Sequence, residues 1–178
     1  MSRTVFNSLM LATVATLLTG CGATQSVSES TASTARAIFY KQVKTLHLDF
    51  SARTAINTDM KDMNAMSVST LVRVYQLSDT KTMDKATYDS LLGDDDSVLG
   101  SALLDKRTVV VKPGEGTQLD VPMAKDARFV SVVALFRHPE MNVNTWRLTL
   151  TREELEPDRA RVIELGENQL TLRPLAKE

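Results

Sequence analysis

The sequence holds one cysteine, Cys21, among 178 residues. An internal disulfide is therefore excluded, as is any zinc site built on several thiolates. Aromatic residues make up only 5%, so a core has to be assembled from Val, Leu, Ile, Ala and Met. The net charge is −1 and no basic stripe is present, so a nucleic-acid partner is not expected. No run of like charge suggests binding to a polyanion or a charged membrane surface. The apolar stretch Leu9–Leu18, interrupted by Thr13 and Thr16, falls short of the roughly 20 residues that a membrane-spanning helix needs.

Signatures of catalysis are missing too. No His-x-x-x-His, Gly-x-Ser-x-Gly or Gly-x-x-x-x-Gly-Lys spacing occurs. His47 falls on the polar face of an expected strand, and His138 sits beside Pro139 in an expected turn; both read as surface histidines. Asp94, Asp95 and Asp96 are consecutive, and adjacent side chains do not converge as the alternating acids of a calcium loop do. They read as a solvated loop. Glu153, Glu154 and Glu156 form a charge cluster with no sign of the sugar cleft that paired glycosidase carboxylates require. No catalytic residue, metal site or dissociable cofactor is expected, and the chain does not read as an enzyme.

What the chain does have begins with an address. Arg3 and the amino terminus supply positive charge, Leu9–Leu18 is apolar, and small residues follow, as in a secretory signal. Leu18-Thr19-Gly20-Cys21 resembles a bacterial lipobox. The resemblance implies a diacylglyceryl group on the Cys21 sulfur, cleavage after residue 20, and an acyl chain on the new amine. Gly22, in place of Asp, implies sorting to the outer membrane by the rules of enteric-type bacteria. The competing reading is an ordinary secreted protein with a chance cysteine near the cut. Removing residues 1–20 takes away one charged side chain, Arg3.

Residues 21–35 then carry the lipidation site and a Ser/Thr/Ala-rich segment that cannot bury a core, expected to act as a flexible tether. Fourteen such residues span roughly 20 Å r.m.s..

From residue 36 to 178 the dominant period is two. Leu46, Leu48 and Phe50 alternate with polar residues, and Leu71–Leu77 is β-branched and aromatic. Val109–Val111 precedes the Pro113-Gly114-Glu115-Gly116 turn, with Leu119 and Val121 beyond it. Phe129–Phe136 is apolar on both faces, which suits a central strand. Trp146, Leu148 and Leu150 alternate, and Gly166-Glu167-Asn168 separates two strands of a hairpin. Seven or eight short strands with intervening turns indicate an all-β, two-sheet antiparallel sandwich. A helical insert is expected over about 80–104: one helix from Thr82 to Leu92, ending at Gly93, and a second over Ser97–Leu104.

Ala52–Ser67 separates the first two strands and is long for a hairpin connection. It holds Ile56, Met60, Met63 and Met66. Flexible methionines suit an adaptable contact surface, but their spacing of three also fits one face of a short helix folded onto the core.

Several segments, taken in order behind the lipobox, resemble the TssJ family, the outer-membrane lipoproteins of bacterial type VI secretion systems. Leu71-Val72-Arg73-Val74-Tyr75-Gln76-Leu77 is similar to that family's Val-Arg-Ile-Tyr-Gln-Leu strand. Val133-Ala134-Leu135-Phe136-Arg137 followed by Trp146-Arg147 resembles its Val-Ala-x-Phe-Arg … Trp-Arg segment. Ile56-Asn57-Thr58-Asp59 resembles a Leu-Asn-Pro-Asp element after the first strand. The resemblance implies a transthyretin-like sandwich anchored at the periplasmic face of the outer membrane, which holds the periplasmic region of the inner-membrane protein TssM. It places TssL and TssA-type proteins in the same assembly. It also implies that the loop after the first strand makes the contact, through Asn57, Thr58 and Asp59, with Ile56, Met60, Met63 and Met66 beside them. Thr58 stands where the family has proline, and this loop is Met-rich and lacks glycine. Two other readings compete: a periplasmic lipoprotein with a different protein or small-molecule ligand, and a transthyretin-like 5-hydroxyisourate hydrolase. The hydrolase family's terminal Tyr-Arg-Gly-Ser is absent, since this chain ends Arg173-Pro174-Leu175-Ala176-Lys177-Glu178.

Overall fold

Alternation of apolar and polar residues puts one face of each strand under cover, and it sets the architecture here. The computed structural model describes residues 42–58 and 66–175. Cys21 and the segment expected to be a tether lie outside them, as do Asp59, Met60 and Met63.

Eight strands form two four-stranded sheets. They are β1 (Thr45–Ile56), β2 (Thr70–Leu77), β3 (Leu103–Val111), β4 (Gly116–Pro122), β5 (Phe129–Leu135), β6 (Arg147–Thr151), β7 (Arg161–Glu167) and β8 (Gln169–Leu172). One sheet has the order β4-β1-β7-β8 and the other β3-β2-β5-β6. The chain passes between sheets four times, and the Pro113–Gly114 turn is one such crossing rather than a hairpin. The pairing is antiparallel except between β1 and β7, which run parallel. The expected all-β, two-sheet antiparallel sandwich is thus observed, with this one parallel pair inside it. The whole second sheet separates these two strands in sequence, so no tight hairpin turn fixes their relative direction.

The core lies between the sheets. Leu46, Leu48, Phe50, Ile163 and Leu165 on one side meet Val72, Val74, Val130, Val132 and Leu150 on the other, all at most 1% exposed. Strand β5 is buried along Val130–Ala134 on both faces, as its unbroken apolar run predicted. It lies between β2 and β6, and the helical insert covers the sheet's outer face.

The insert differs in detail from expectation. Helix α1 is Lys81–Lys85 and helix α2 is Tyr88–Leu99, followed by a 3-10 turn at Gly100–Ala102. The strong start signal is Thr87. Its hydroxyl accepts from the Ser90 amide while the Ser90 hydroxyl accepts from the Thr87 amide, a reciprocal cap. The first helical stretch ends at Gly93, as expected. Asp94 leaves helical geometry (φ −145°, ψ 73°), and the chain resumes winding through Leu99. Asp95 and Asp96 therefore lie in the resumed helix, and Asp95 is buried at 6% exposure, which overturns the reading of a solvated loop.

Strand β1 is longer than its apolar stripe. Beyond Ala52 its ladder to β7 shifts register and resumes at Ile56 opposite Glu167, so the strand runs on past the polar residues Arg53 and Thr54 to Ile56. The connection to β2 thus runs from Asn57 to Ser69 rather than from Ala52.

Candidate partner-binding site

The antiparallel ladders and the parallel β1–β7 pair gather the connections at two opposite ends. At one end β1 and β7 finish, β5 finishes, and β2, β6 and β8 begin. The β1–β2 connection, the β5–β6 loop and the β7–β8 turn therefore meet there.

Asn57 ties them together. It is 3% exposed with φ of +49°, a left-handed conformation that asparagine tolerates better than most residues. Its amide donates to the Glu167 carbonyl at 2.6 Å. Its Oδ1 accepts from the Arg137 amide at 2.7 Å, and its Nδ2 donates to the Ser69 carbonyl at 3.4 Å. One buried side chain thus closes the base of its own loop onto the β5–β6 loop. Nearby, Asn168 Nδ2 donates to the Thr58 carbonyl at 3.1 Å, and the Leu170 amide donates to the Thr145 carbonyl at 2.7 Å. The non-glycine residues with positive φ among those described are Asn57, Asn144 (+53°) and Glu167 (+54°), and all lie at this end.

The sequence-expected contact residues divide into two groups. Ile56 is fully buried as the last residue of β1, and Asn57 faces inward as described. These two shape the loop's base. Thr58 is half-buried and Met66 is 69% exposed. Asp59, Met60 and Met63 lie outside the described residues. Sequence reasoning missed the neighbours: Met141 and Val143 of the β5–β6 loop are exposed apolar side chains at 48% and 67%, and the β7–β8 turn completes the surface. Val143 carried no pattern signal, because loop side chains have no period to betray them.

The second feature missed is a charged cluster beneath α2. Asp95 Oδ2 accepts from the Tyr75 hydroxyl at 2.7 Å and pairs with Arg73 at 3.1 Å, while Oδ1 pairs with Lys106 at 3.1 Å. Arg73 also donates to the Leu91 carbonyl at 2.6 Å. Burial works to raise the Asp95 pKa, but hydrogen bonds from Tyr75 and Lys106 and the charge of Arg73 outweigh it, and the carboxyl is held below the usual range. Burial, helped by the Asp95 hydrogen bond, drives Tyr75 well above a normal phenol. The signal was present in β2, where Arg73 and Tyr75 share one face and both need a polar partner. Tyr88, at the start of α2, donates to the Phe136 carbonyl and meets the Trp146 ring edge-on at 5.2 Å. Burial pushes it up to about 12.

The opposite end carries the incoming chain. Arg152 donates to the carbonyls of Ala124, Ala127 and Val43 at 2.7–3.2 Å, which fixes Val43 immediately before β1. His47 is paired with Asp120 across β1 and β4, and His138 lies in the β5–β6 loop. Among the described residues, no group of three His, Cys, Asp or Glu side chains is placed to hold a metal ion.

With this geometry the comparisons with known proteins agree. Residues 44–171 match the model of the type VI secretion lipoproteins (VasD, EvfM, TssJ). The chain belongs to this family. A chain of a solved type VI membrane complex is 42% identical, with a TM-score of 0.70, over 75% of this chain and 100% of that one. A chain of the structure described as the type VI protein TssM C-terminal domain (869–1107) from EAEC is 39% identical over the same shares, with a TM-score of 0.66. Lip from Serratia marcescens, a membrane-bound component of the type VI secretion system, is 26% identical over 75% of this chain and 100% of its own, with a TM-score of 0.64. No curated protein sequence matches. The two-sheet sandwich expected from the strand pattern is thus the fold of a type VI secretion lipoprotein.

Proposed function

We propose that this type VI secretion lipoprotein is held at the periplasmic face of the outer membrane by acyl chains on Cys21, and that it binds the periplasmic C-terminal region of TssM through the end of the sandwich where Asn57 gathers three connections. The observation that carries the reading is this polarity. The chain enters at Val43, and the gathered loops lie at the far end of β1. A strand of 12 residues spans roughly 35–40 Å at about 3.3 Å per residue. The sandwich therefore acts as a spacer between an anchored end and a contact end.

The similar chain from the TssM structure supports the partner. Its whole length is matched by three quarters of this 178-residue chain, far fewer residues than the span 869–1107 contains. We take it as a companion of the TssM domain in that structure. TssL and TssA-type proteins belong to the same assembly in this reading.

The work is mechanical rather than chemical. Each buried CH₂ of an acyl chain contributes about 0.8 kcal/mol to anchoring, and more than one chain is needed for stable attachment. Residues 22–35 supply reach between lipid and domain. No reaction is assigned, and the acyl groups on Cys21 are the only attached groups proposed.

Replacing residues 59–66 with a Gly-Ser linker of equal length tests the site. The variant is expected to keep the wild-type melting temperature within a few degrees and to lose binding to a TssM periplasmic fragment. A folded variant that still binds with wild-type affinity would place the contact elsewhere. The replacement starts after Thr58 because Ile56 and Asn57 are structural.

A further inference from the structure

Resting on the TssM reading above, we infer that the cleft between the β5–β6 loop and the β7–β8 turn receives a basic side chain, lysine or arginine, of the partner protein. The cleft has a volume of about 290 Å³ and is lined by Thr58, His138, Glu140, Val143, Glu167 and Asn168, among others. Its two carboxylates come from different elements, Glu140 from the β5–β6 loop and Glu167 from the end of β7, and no lysine or arginine lines it. The Asn168 Nδ2 is occupied by the Thr58 carbonyl and offers no donor to the cleft, and one Glu140 oxygen accepts from the Asn142 amide at 2.9 Å, which leaves the other open. The two carboxylates make the lining net negative, and its complement is a cation rich in N–H groups.

The cleft also suits the shape of such a side chain. Pro139 and Val143 line it, and Val143 is 67% exposed, giving the methylene stem an apolar surface while the charged head meets the carboxylates. The walls are set before binding. Asn57 fixes Arg137 at the start of the β5–β6 loop and the carbonyl of Glu167 on the facing turn, so little ordering cost remains to be met on association. Thr58 lines the cleft and is the residue from which the connection expected to contact TssM departs.

The test is calorimetric titration of the acylated mature chain in detergent with a TssM periplasmic fragment, over a series of NaCl concentrations. Glu140→Gln and Glu167→Gln keep side-chain size and are each expected to weaken binding about tenfold, and the double variant about a hundredfold. The double variant should also show a flatter dependence of affinity on salt, a change that a merely structural role would not produce. Glu153→Gln, at the opposite end, should bind as wild type does. Wild-type affinity and salt dependence in the double variant would overturn the inference while leaving the TssM reading intact. An equal loss in Glu153→Gln would overturn it as well, by showing a general charge effect. No binding by the wild-type chain would remove the TssM reading, and this inference with it.

Discussion

Asp95 shows how a single residue fastens one element to another. Two cations and a phenol meet its carboxylate, and its side chain is 8% exposed. Removing the charge leaves Arg73 and Lys106 facing a neutral amide in a partly buried site. Asp95→Asn is expected to cost about 3 kcal/mol, read as a lower melting temperature at neutral pH. The sign of the pH dependence follows from the depressed carboxyl. Its stabilisation is present above the unfolded value of about 3.9 and is lost as pH falls through the lower folded value. The gap between wild type and variant should therefore narrow in melts run at progressively lower pH, from about 4 downward. A gap that stayed constant down to pH 2 would show that the ionised carboxylate is not the stabilising species. Tyr88 works in the opposite direction: its protonated form is favoured, and that contribution fades between pH 10 and about 12. None of this was visible in Asp94-Asp95-Asp96 as a string. Three adjacent acids suggest solvent, and only the kink at Asp94 turns the middle one inward.

Among the elements, strands with a buried stripe were legible. Leu46, Leu48 and Phe50, and the doubly apolar β5, mark their own faces. Boundaries were legible only where side chains reported them. Ala52–Thr54 reads as the start of a loop, yet β1 runs on to Ile56, which pairs with Glu167 beyond a register shift. The helical insert was legible, with its expected start at Thr82 one residue inside α1, but the break before α2 was not, because the Thr87–Ser90 cap uses serine where the usual signature has Glu or Gln. Asn57 was singled out as an expected contact residue through its family-like context. Its actual role, binding three elements together from a buried position, was not. Asn57→Ala removes the side-chain bonds to Arg137 and Ser69 and places alanine at positive φ. A loss of about 2 kcal/mol is expected, together with faster amide exchange at Arg137. Unchanged exchange at Arg137 would show that the β5–β6 loop is held by other contacts.

At the scale of the whole molecule, function follows from which end carries what. Val43, just before β1, and the gathered loops lie at opposite ends of the sandwich, which is the arrangement on which the proposed anchor and contact rest. Cys21→Ser should leave a folded protein that no longer fractionates with the outer membrane and no longer supports type VI secretion. Normal secretion by a strain carrying only that change would contradict the anchor. The lipobox and the segments resembling the family were both readable in sequence. The gathering of three connections at the far end of β1 depends on the direction and register of β1 and β7, and it emerged only from the fold.

The most direct measurement of the central claim is calorimetric titration of the mature chain with a TssM periplasmic fragment, comparing wild type with the linker-replaced 59–66 variant. Saturable binding by wild type and none by the folded variant is the expected result. Equal binding by both, or none by either, would contradict the account.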